Sequence, residues 1–329
     1  MDEIDFVVLW VDDNDPEWQK SKAYHSGGNT TRVLNQKNRY RDWGIFHYWF
    51  RGVEKYAPWV RKIHLVTAGH LPQWLNIEHP KLNIVPHADF MAERYLPTFS
   101  ARPIELNIHR IPDLAERFVY FNDDMFIINK IRPEYFFQHD LPTDMGIRNL
   151  IIGNDYSTVL YNALRIVEKN LGHINPVKEK PFNWFNLKYR TAVLRNLLLL
   201  PWQSHSGFYS FHRPTSYFKS DFEIVWDTEG DLLEKTCLNK FRTISDVNHQ
   251  VIRWWRLIEN RFHPFDYFRI AQDIPLTNNP KVLINVKKQR FSLVCLNDNE
   301  NTSFKLLRPY VHKVFKEVFE ERSKFEKSP

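Results

Sequence analysis

The chain reads as an α/β protein: a Rossmann-like, mostly parallel sheet with helices on both faces, followed by a more helical C-terminal half and a small hairpin. Three observations carry this reading. Ile4 to Val11 (Ile-Asp-Phe-Val-Val-Leu-Trp-Val) is almost continuously apolar, as a strand covered on both faces must be. Phe118-Val119-Tyr120-Phe121 repeats the design. Between them, strand-like and helix-like stretches alternate over about the first 145 residues, the order that builds a parallel sheet. Both apolar runs end in acids, Asp12-Asp13-Asn14-Asp15-Pro16 and Asn122-Asp123-Asp124. In open α/β sheets ligands sit outside the carboxyl ends of the strands. Adjacent carboxylates at the end of a buried strand are costly unless a cation meets them. A divalent metal carrying phosphate oxygens is one such partner, and a solvated Asx turn is the plain alternative.

Taken in order, Asp5 is a carboxylate at the start of a buried strand. It is either exposed at a sheet edge or held by a cation. Ser21 to Lys37 reads as an irregular loop. Trp43, Phe46, Phe50, Val53 and Ala57 mark one face of a helix stopped by Ala57-Pro58, with Arg39, Arg41 and Arg51 beside it. Lys62 to Thr67 and Lys81 to Pro86 read as strands. Pro103 to Ile111 reads as a helix that buries Ile104, Ile108 and Ile111 and places Glu105 and His109 on another face.

In the second half, Asp155 to Lys169 and Asn183 to Leu200 read as helices. The latter carries Lys188, Arg190 and Arg195, with Trp184, Leu187, Leu194 and Leu198 as its apolar stripe. It could lie on an anionic membrane, but packing of the stripe against the core is the preferred expectation. Lys219 to Leu238 reads as a helix. Another follows with Ser245 as N-cap and Val247, Val251, Trp254 and Ile258 as its core stripe. Val282 to Val286 and Phe291 to Leu296 read as a hairpin around Lys287-Lys288. Arg308 to Phe325 closes the chain as an amphipathic helix. Without a Pro- or Gly-rich linker, the expectation is one unit with three parts: 1–150, 151–270 and 271–329.

Composition narrows the function classes. The formal net charge is +6, which favours anionic partners. Bases number 45 against 39 acids, and they are scattered without a nucleic-acid-binding signature, so a nucleic-acid partner is not expected. The two cysteines, Cys237 and Cys295, lie far apart, which excludes a disulfide scaffold or a zinc knuckle. Met1-Asp2-Glu3 lacks the basic start of a signal peptide, and no apolar run is long enough to span a bilayer. The expected location is cytoplasmic, with peripheral contact at the inner membrane face.

Two stretches resemble the Stealth family of sugar-1-phosphate transferases, which build bacterial capsular and exopolysaccharides. The first is Ile4-Asp5-Phe6-Val7-Val8-Leu9-Trp10-Val11-Asp12 with Asp15. The second runs from Arg39-Tyr40-Arg41-Asp42 through Glu54 to Ile63, Leu96-Pro97-Thr98-Phe99-Ser100, Ile104-Glu105 and His109-Arg110-Ile111 to Asn122-Asp123-Asp124. Fainter matches stand around His205 and at Phe241-Arg242 with Asp246. The resemblance implies a nucleotide-sugar-transferase core, a UDP-hexose donor, Mg²⁺ or Mn²⁺, and a lipid-linked oligosaccharide acceptor. The reaction implied is hexose-1-phosphate transfer to a sugar hydroxyl with release of UMP.

By the same resemblance the catalytic set is Asp5, Asp124, His205 and Arg242, with Asp123 and Asp124 on the metal. Trp10, Asp12, Asp15, Arg39, Asp42, His109, Arg110, Asn122 and Asp246 are the expected substrate-binding residues. The family often has Gly where Asp13 stands. It has Pro two residues after its histidine, where this chain has Gly207, so His212 is the alternative to His205. Attack of a hydroxyl on phosphorus needs positioning and charge neutralisation more than covalent help. Arg242 would clamp phosphate oxygens, and Asp5, Asp124 or His205 would take the acceptor proton. Two other functions remain in view at this point. One is a metal-dependent glycosyltransferase that releases UDP, and the other is a non-enzymatic binder of RNA or anionic membrane.

Overall fold

A computed structural model describes residues 3–26, 35, 40–153, 155–210, 212–298 and 302–328, with residues 155 and 156 described by their backbone alone. The central sheet forms where the sequence is most apolar. Strand β1 (Ile4–Leu9) pairs in parallel with β2 (Ile63–Thr67) on one side and β4 (Arg117–Phe121) on the other. Strand β3 (Leu82–Pro86) extends the sheet beyond β2, and β8 (Thr215–Phe218) closes it antiparallel to β4. The order is β3-β2-β1-β4-β8. The chain therefore winds outward from β1 to β3, returns, and continues on the other side of β1. The switch of direction lies between β1 and β4, and a crevice opens at their carboxyl ends.

Both faces of this sheet are covered, which explains why β1 has no polar alternation. Phe6, Val8, Val119 and Phe121 enter one core, beneath α2 (Phe46–Tyr56). Val7, Phe118 and Tyr120 enter the other, beneath α4 (Asp155–Leu171), α8 (Lys219–Cys237) and α9 (Gln250–Ile258). Smaller elements complete the frame. These are α1 (Pro16–Ser26), α3 (Ala101–Asn107), β6 (Phe137–Gln138), β7 (Leu141–Asp144), α5 (Pro176–Glu179), α6 (Pro181–Trp184), α7 (Val193–Leu198), β9 (His263–Pro264) and α10 (Tyr267–Ile270). A second small sheet joins β5 (Met125–Ile127), β11 (Leu293–Asn297) and β10 (Ala271–Pro275), with α11 (Ile284–Lys287) and α12 (Phe304–Val318) packed beside it.

Several expectations are corrected. Residues 16–26 are helical rather than irregular from Ser21 on, and the rest of that stretch, Asn35 apart, lies outside the described residues. The expected hairpin over 282–296 is absent. Asn279 caps Lys281 N at 3.0 Å and Pro280 takes the first helical position, so residues 280–287 turn helically. Strand β11 instead pairs parallel to β10 and antiparallel to β5. The single helix expected over 183–200 is broken. Asn186 starts a new turn by accepting from Lys188 N at 3.1 Å, and Arg190 stands at φ 54°. The helix expected from Ser245 begins later, at Gln250, because Asp246 is engaged in its own loop.

One buried charge cluster ties the second half to the first. Asp144, at the end of β7, receives Arg213 at 2.8 Å, Arg253 at 2.8 Å and Arg256 at 3.2 Å. Burial alone would raise its pKa, but Arg253 and Arg213 outweigh burial and hold it below the usual carboxylate range. Its contribution to stability is thus present above the ordinary carboxylate pKa of 3.8 and is lost as pH falls below it. Replacing Asp144 by Asn leaves three buried guanidinium groups under-compensated. The expected cost is about 3–5 kcal/mol, read by denaturant titration at neutral pH.

Candidate active site

The two acid-rich strand ends meet at the switch point. Val8 stands opposite Phe121 in the β1–β4 ladder, so both chains leave the sheet at the same edge. The cleft above them has a volume of about 330 Å³, at the low end of the roughly 300–1,000 Å³ usual for ligand pockets. Its walls divide by chemistry. Trp10, Trp18, Tyr40, Trp43 and Phe99 form an aromatic side. Arg41, Arg102, Arg213 and Arg242 bring positive charge, and Glu105, Asp123, Asp124 and Asp298 bring negative charge.

Asp123 and Asp124 follow β4 after Asn122 and precede β5. The turn is held by Met125 N donating to Asn122 O at 3.2 Å, and by Leu296 N of β11 donating to Asp124 O at 2.9 Å. Burial, then Asp124 and Asp42, push the Asp123 carboxyl well above its ordinary pKa. Burial also raises that of Asp124, against a smaller opposing pull from His212. Asp42 is raised by burial and by Asp12 and Asp13. Oδ1 of Asp124 is buried and finds no hydrogen-bond partner among the described residues. Like charges are gathered here, and a buried acceptor is left over. Both facts suit an oxygen-seeking divalent cation.

His212 stands beside these acids. Its Nδ1 lies 3.0 Å from Sγ of Cys295 and its Nε2 lies 3.3 Å from Nδ2 of Asn122. An amide Nδ2 can only donate, so the network assigns the proton to Nδ1 and leaves the lone pair on Nε2. Ligand atoms of Asp124, His212 and Cys295 lie within 4.8 Å of one another. Burial pushes the Cys295 thiol well up in pKa, with Asp124 and Asp273 adding to the effect. A neutral thiol is a poor ligand, so the oxygen atoms of the aspartates remain the natural donors for a hard ion.

The expected residues sort into two groups. Trp10, Asp123, Asp124, Asn122 and Arg242 line the cleft. The Arg242 guanidinium lies over the Tyr40 ring at 5.1 Å, and its backbone is fastened to Asn35 in both directions. Asp12 and Asp42 add charge next to the carboxylates. Asp15 is the N-cap of α1, accepting from Trp18 N at 2.7 Å. Asp246 holds Arg102 at 2.7 Å and Thr243 N at 2.8 Å, and so shapes the loop that presents Arg242. Arg39 lies outside the described residues.

The structure does not bring Asp5, His205, His109 or Arg110 into the cleft. Asp5 sits at the opposite end of β1, fully buried, with Arg61 at 2.5 Å, His64 at 2.9 Å and Ala115 N at 2.8 Å. It is the cation-held alternative of the two that the sequence allowed. His205 is buried against Glu168, 4.0 Å away, and Phe208. His109 stacks on Phe222, and Arg110 lies over Trp226.

Of the two candidate histidines it is His212 that lines the cleft, and the sequence held a signal for it. Pro214 stands two residues after His212, the spacing missing at Gly207. Glu105 was legible only as a helix-face residue. In the fold it accepts from Tyr120 Oη at 3.0 Å. His249, Arg213 and Asp298 had no sequence signal, because distant segments bring them to the cleft.

Comparisons with known proteins show which family the chain resembles. Residues 2–30 match the model of Stealth protein conserved region 1, and residues 39–144 match that of conserved region 2. The chain is 40% identical over 332 residues to a capsular polysaccharide phosphotransferase of Streptococcus pneumoniae, covering 99% of both chains. It is 36% identical to an exopolysaccharide phosphotransferase of Lactiplantibacillus plantarum, over 99% of this chain and 96% of that one. A receptor polysaccharide phosphotransferase of Streptococcus oralis is 38% identical over 92% of each.

Two outcomes follow from the electrostatics of the site and the core. Asp123→Asn relieves like-charge burial, so the metal-free variant should melt higher than the parent at neutral pH. A melting-temperature rise on adding Mn²⁺ should appear in the parent and vanish in the variant. His109 is pushed down to about 3, first by burial and then by Arg110. Its folded pKa lies below its unfolded value, so it stabilises fully above about 6.5 and loses that contribution as pH falls toward 3. By pH 5 the parent should have lost about 2 kcal/mol that a His109→Gln variant does not lose, measured by denaturation across pH. The closeness of this chain to the curated phosphotransferases, over nearly its whole length, places it in the Stealth family of polysaccharide phosphotransferases, and it is a transferase enzyme.

Proposed function

We propose that this protein transfers hexose-1-phosphate from a UDP-hexose to a sugar hydroxyl of a growing cell-surface polysaccharide repeat, on a lipid-linked acceptor, and releases UMP. The observation that carries the reading is the leftover Asp124 Oδ1 among crowded carboxylates, with His212 beside it and Arg242 lining the same cleft. The names of the relatives supply the reaction class.

The donor set fits Mg²⁺ or Mn²⁺ held by Asp123 and Asp124. When bound, the ion would neutralise diphosphate charge and polarise the phosphoryl oxygens. The chain's own groups do the rest. Arg242 binds phosphate oxygens through its guanidinium fork, and the aromatic side bounds the space left for the base and sugar. An acceptor hydroxyl replaces Asn122 at Nε2 of His212, and that nitrogen takes its proton. The acceptor oxygen bonds to the β-phosphorus. The bond from that phosphorus to the α–β bridging oxygen breaks, and UMP leaves with the bridging oxygen. Cys295, at Nδ1, keeps the imidazole oriented. In this reading Asp5 serves by position, locking β1 beside β2 at the far end of the sheet.

His212→Gln should lower the turnover number by about 10²–10⁴-fold with little change in donor KM, the range for a lost general base. His205→Gln should leave turnover within a few-fold among molecules that fold. The measurement is acceptor-dependent UMP release with a UDP-hexose panel and Mn²⁺, repeated in EDTA. Release of UDP instead would mean glycosyl transfer at the same metal site. Full activity in His212→Gln would remove the proposed base.

A further inference from the structure

The segment 180–202 is folded inside out. Asn196 and the rings of Trp184 and Tyr189 point inward. Trp184 is buried and donates to Asn260 at 2.8 Å. Tyr189 is buried and accepts from Gly146 N at 2.9 Å. Asn196, on α7, is buried and donates to Gly146 O and Trp184 O at 2.7 and 2.6 Å, while Arg148 N donates to its Oδ1 at 2.6 Å. The buried Arg148 also fastens the far end of the segment, donating to Leu199 O, Trp202 O and Ser204 O at 2.6, 3.1 and 3.0 Å. Most of its large aliphatic side chains point outward instead, Leu199 excepted. Leu187 is 92% exposed, Phe182 84%, Leu198 71% and Trp202 61%, with Leu194 and Leu197 also exposed.

This overturns the sequence expectation that Leu187, Leu194 and Leu198 pack on the core. Large exposed apolar side chains on a well-fastened scaffold mark a surface made for a partner. The charge around them says which kind. From Lys180 to Ser204 the chain carries Lys180, Lys188, Arg190 and Arg195 and no acid. Arg190 is shared with Asp266 at 3.0 Å, and Lys188 reaches Pro264 O at 2.9 Å. Both keep their heads at the surface. Exposed leucines, a tryptophan and basic residues gathered in one short segment form the pattern of a segment lying in the interface of an anionic bilayer. Among the described residues, no helix is long and apolar enough to cross a membrane, so such a face would act by adsorption.

We infer that the 180–202 surface docks this protein on an anionic lipid bilayer, with Phe182, Leu187, Leu194, Leu197, Leu198 and Trp202 entering the interface. It deepens the proposed function only in purpose, by bringing the cleft to a lipid-linked acceptor, and can be tested without any donor.

The test is co-sedimentation of the full chain with vesicles of phosphatidylcholine alone, or mixed with phosphatidylglycerol. The parent should sediment with the mixed vesicles, weakly with the neutral ones, and less as salt rises. Leu197→Asp/Leu198→Asp should weaken binding by about tenfold per leucine, because each loses its apolar transfer. An Arg195→Gln variant should lose mainly the salt-sensitive part. UMP release onto a soluble oligosaccharide acceptor should survive in all three, which separates a failed docking face from a failed reaction. Equal binding of parent and double variant would overturn the inference, as would no binding by the parent. A concentration-dependent dimer abolished by the same leucine changes would overturn it too, assigning the face to a second copy.

Discussion

Everything near the cleft answers to one constraint. Asp42, Asp123 and Asp124 are gathered where burial opposes the ionisation of all three, and Asp123 is further repelled by Asp124 and Asp42. Nothing local forces this arrangement. It is imposed by the parallel β1–β4 pair, which leaves both acid-rich turns at one edge, and by β11, whose Leu296 N clamps the Asp124 carbonyl at 2.9 Å. A fold that spends stability in this way keeps a place for positive charge that it does not itself supply.

Asp5 and Asp124 show how context divides identical side chains. Asp5 enters β1 and Asp124 follows β4, so they lie at opposite ends of two neighbouring parallel strands. Burial raises the pKa of both. At Asp5 the His64 and Arg61 hydrogen bonds outweigh burial, and its pKa is lowered. At Asp124 the pull of His212 does not, and its pKa is raised. The first is a finished structural pair, while the second is poised for a ligand. Asp144 belongs with Asp5. Its arginines include Arg213, the neighbour of His212, so that buried cluster also helps set where the imidazole stands.

The sequence showed the fold best where burial acts on both faces of a strand. Strands β1 to β4 were legible because Phe6, Val8, Val119 and Phe121 feed one core, and Val7, Phe118 and Tyr120 the other. Helices α4 and α8 were legible from long periodic patterns. The reading failed where short-range signals conflict. Asn279-Pro280 starts a helical turn inside a β-rich stretch, and the leucines of 187–198 have helical spacing but face outward. In the cleft, Asp123, Asp124 and Arg242 were found by motif. His212 was ranked second because spacing alone could not show that Cys295, 83 residues on, would meet its ring. Asp5 carried the family motif yet lies at the other end of its strand, a distinction that only three dimensions make.

The central claim is that phosphorus leaves the nucleotide with the sugar. The most direct measurement is ³¹P nuclear magnetic resonance of the acceptor after turnover, with donor labelled at the β-phosphate. A phosphodiester resonance in the polymer, carrying the label, is the predicted result. A label that stays in released UDP, with an unphosphorylated product, would contradict the account.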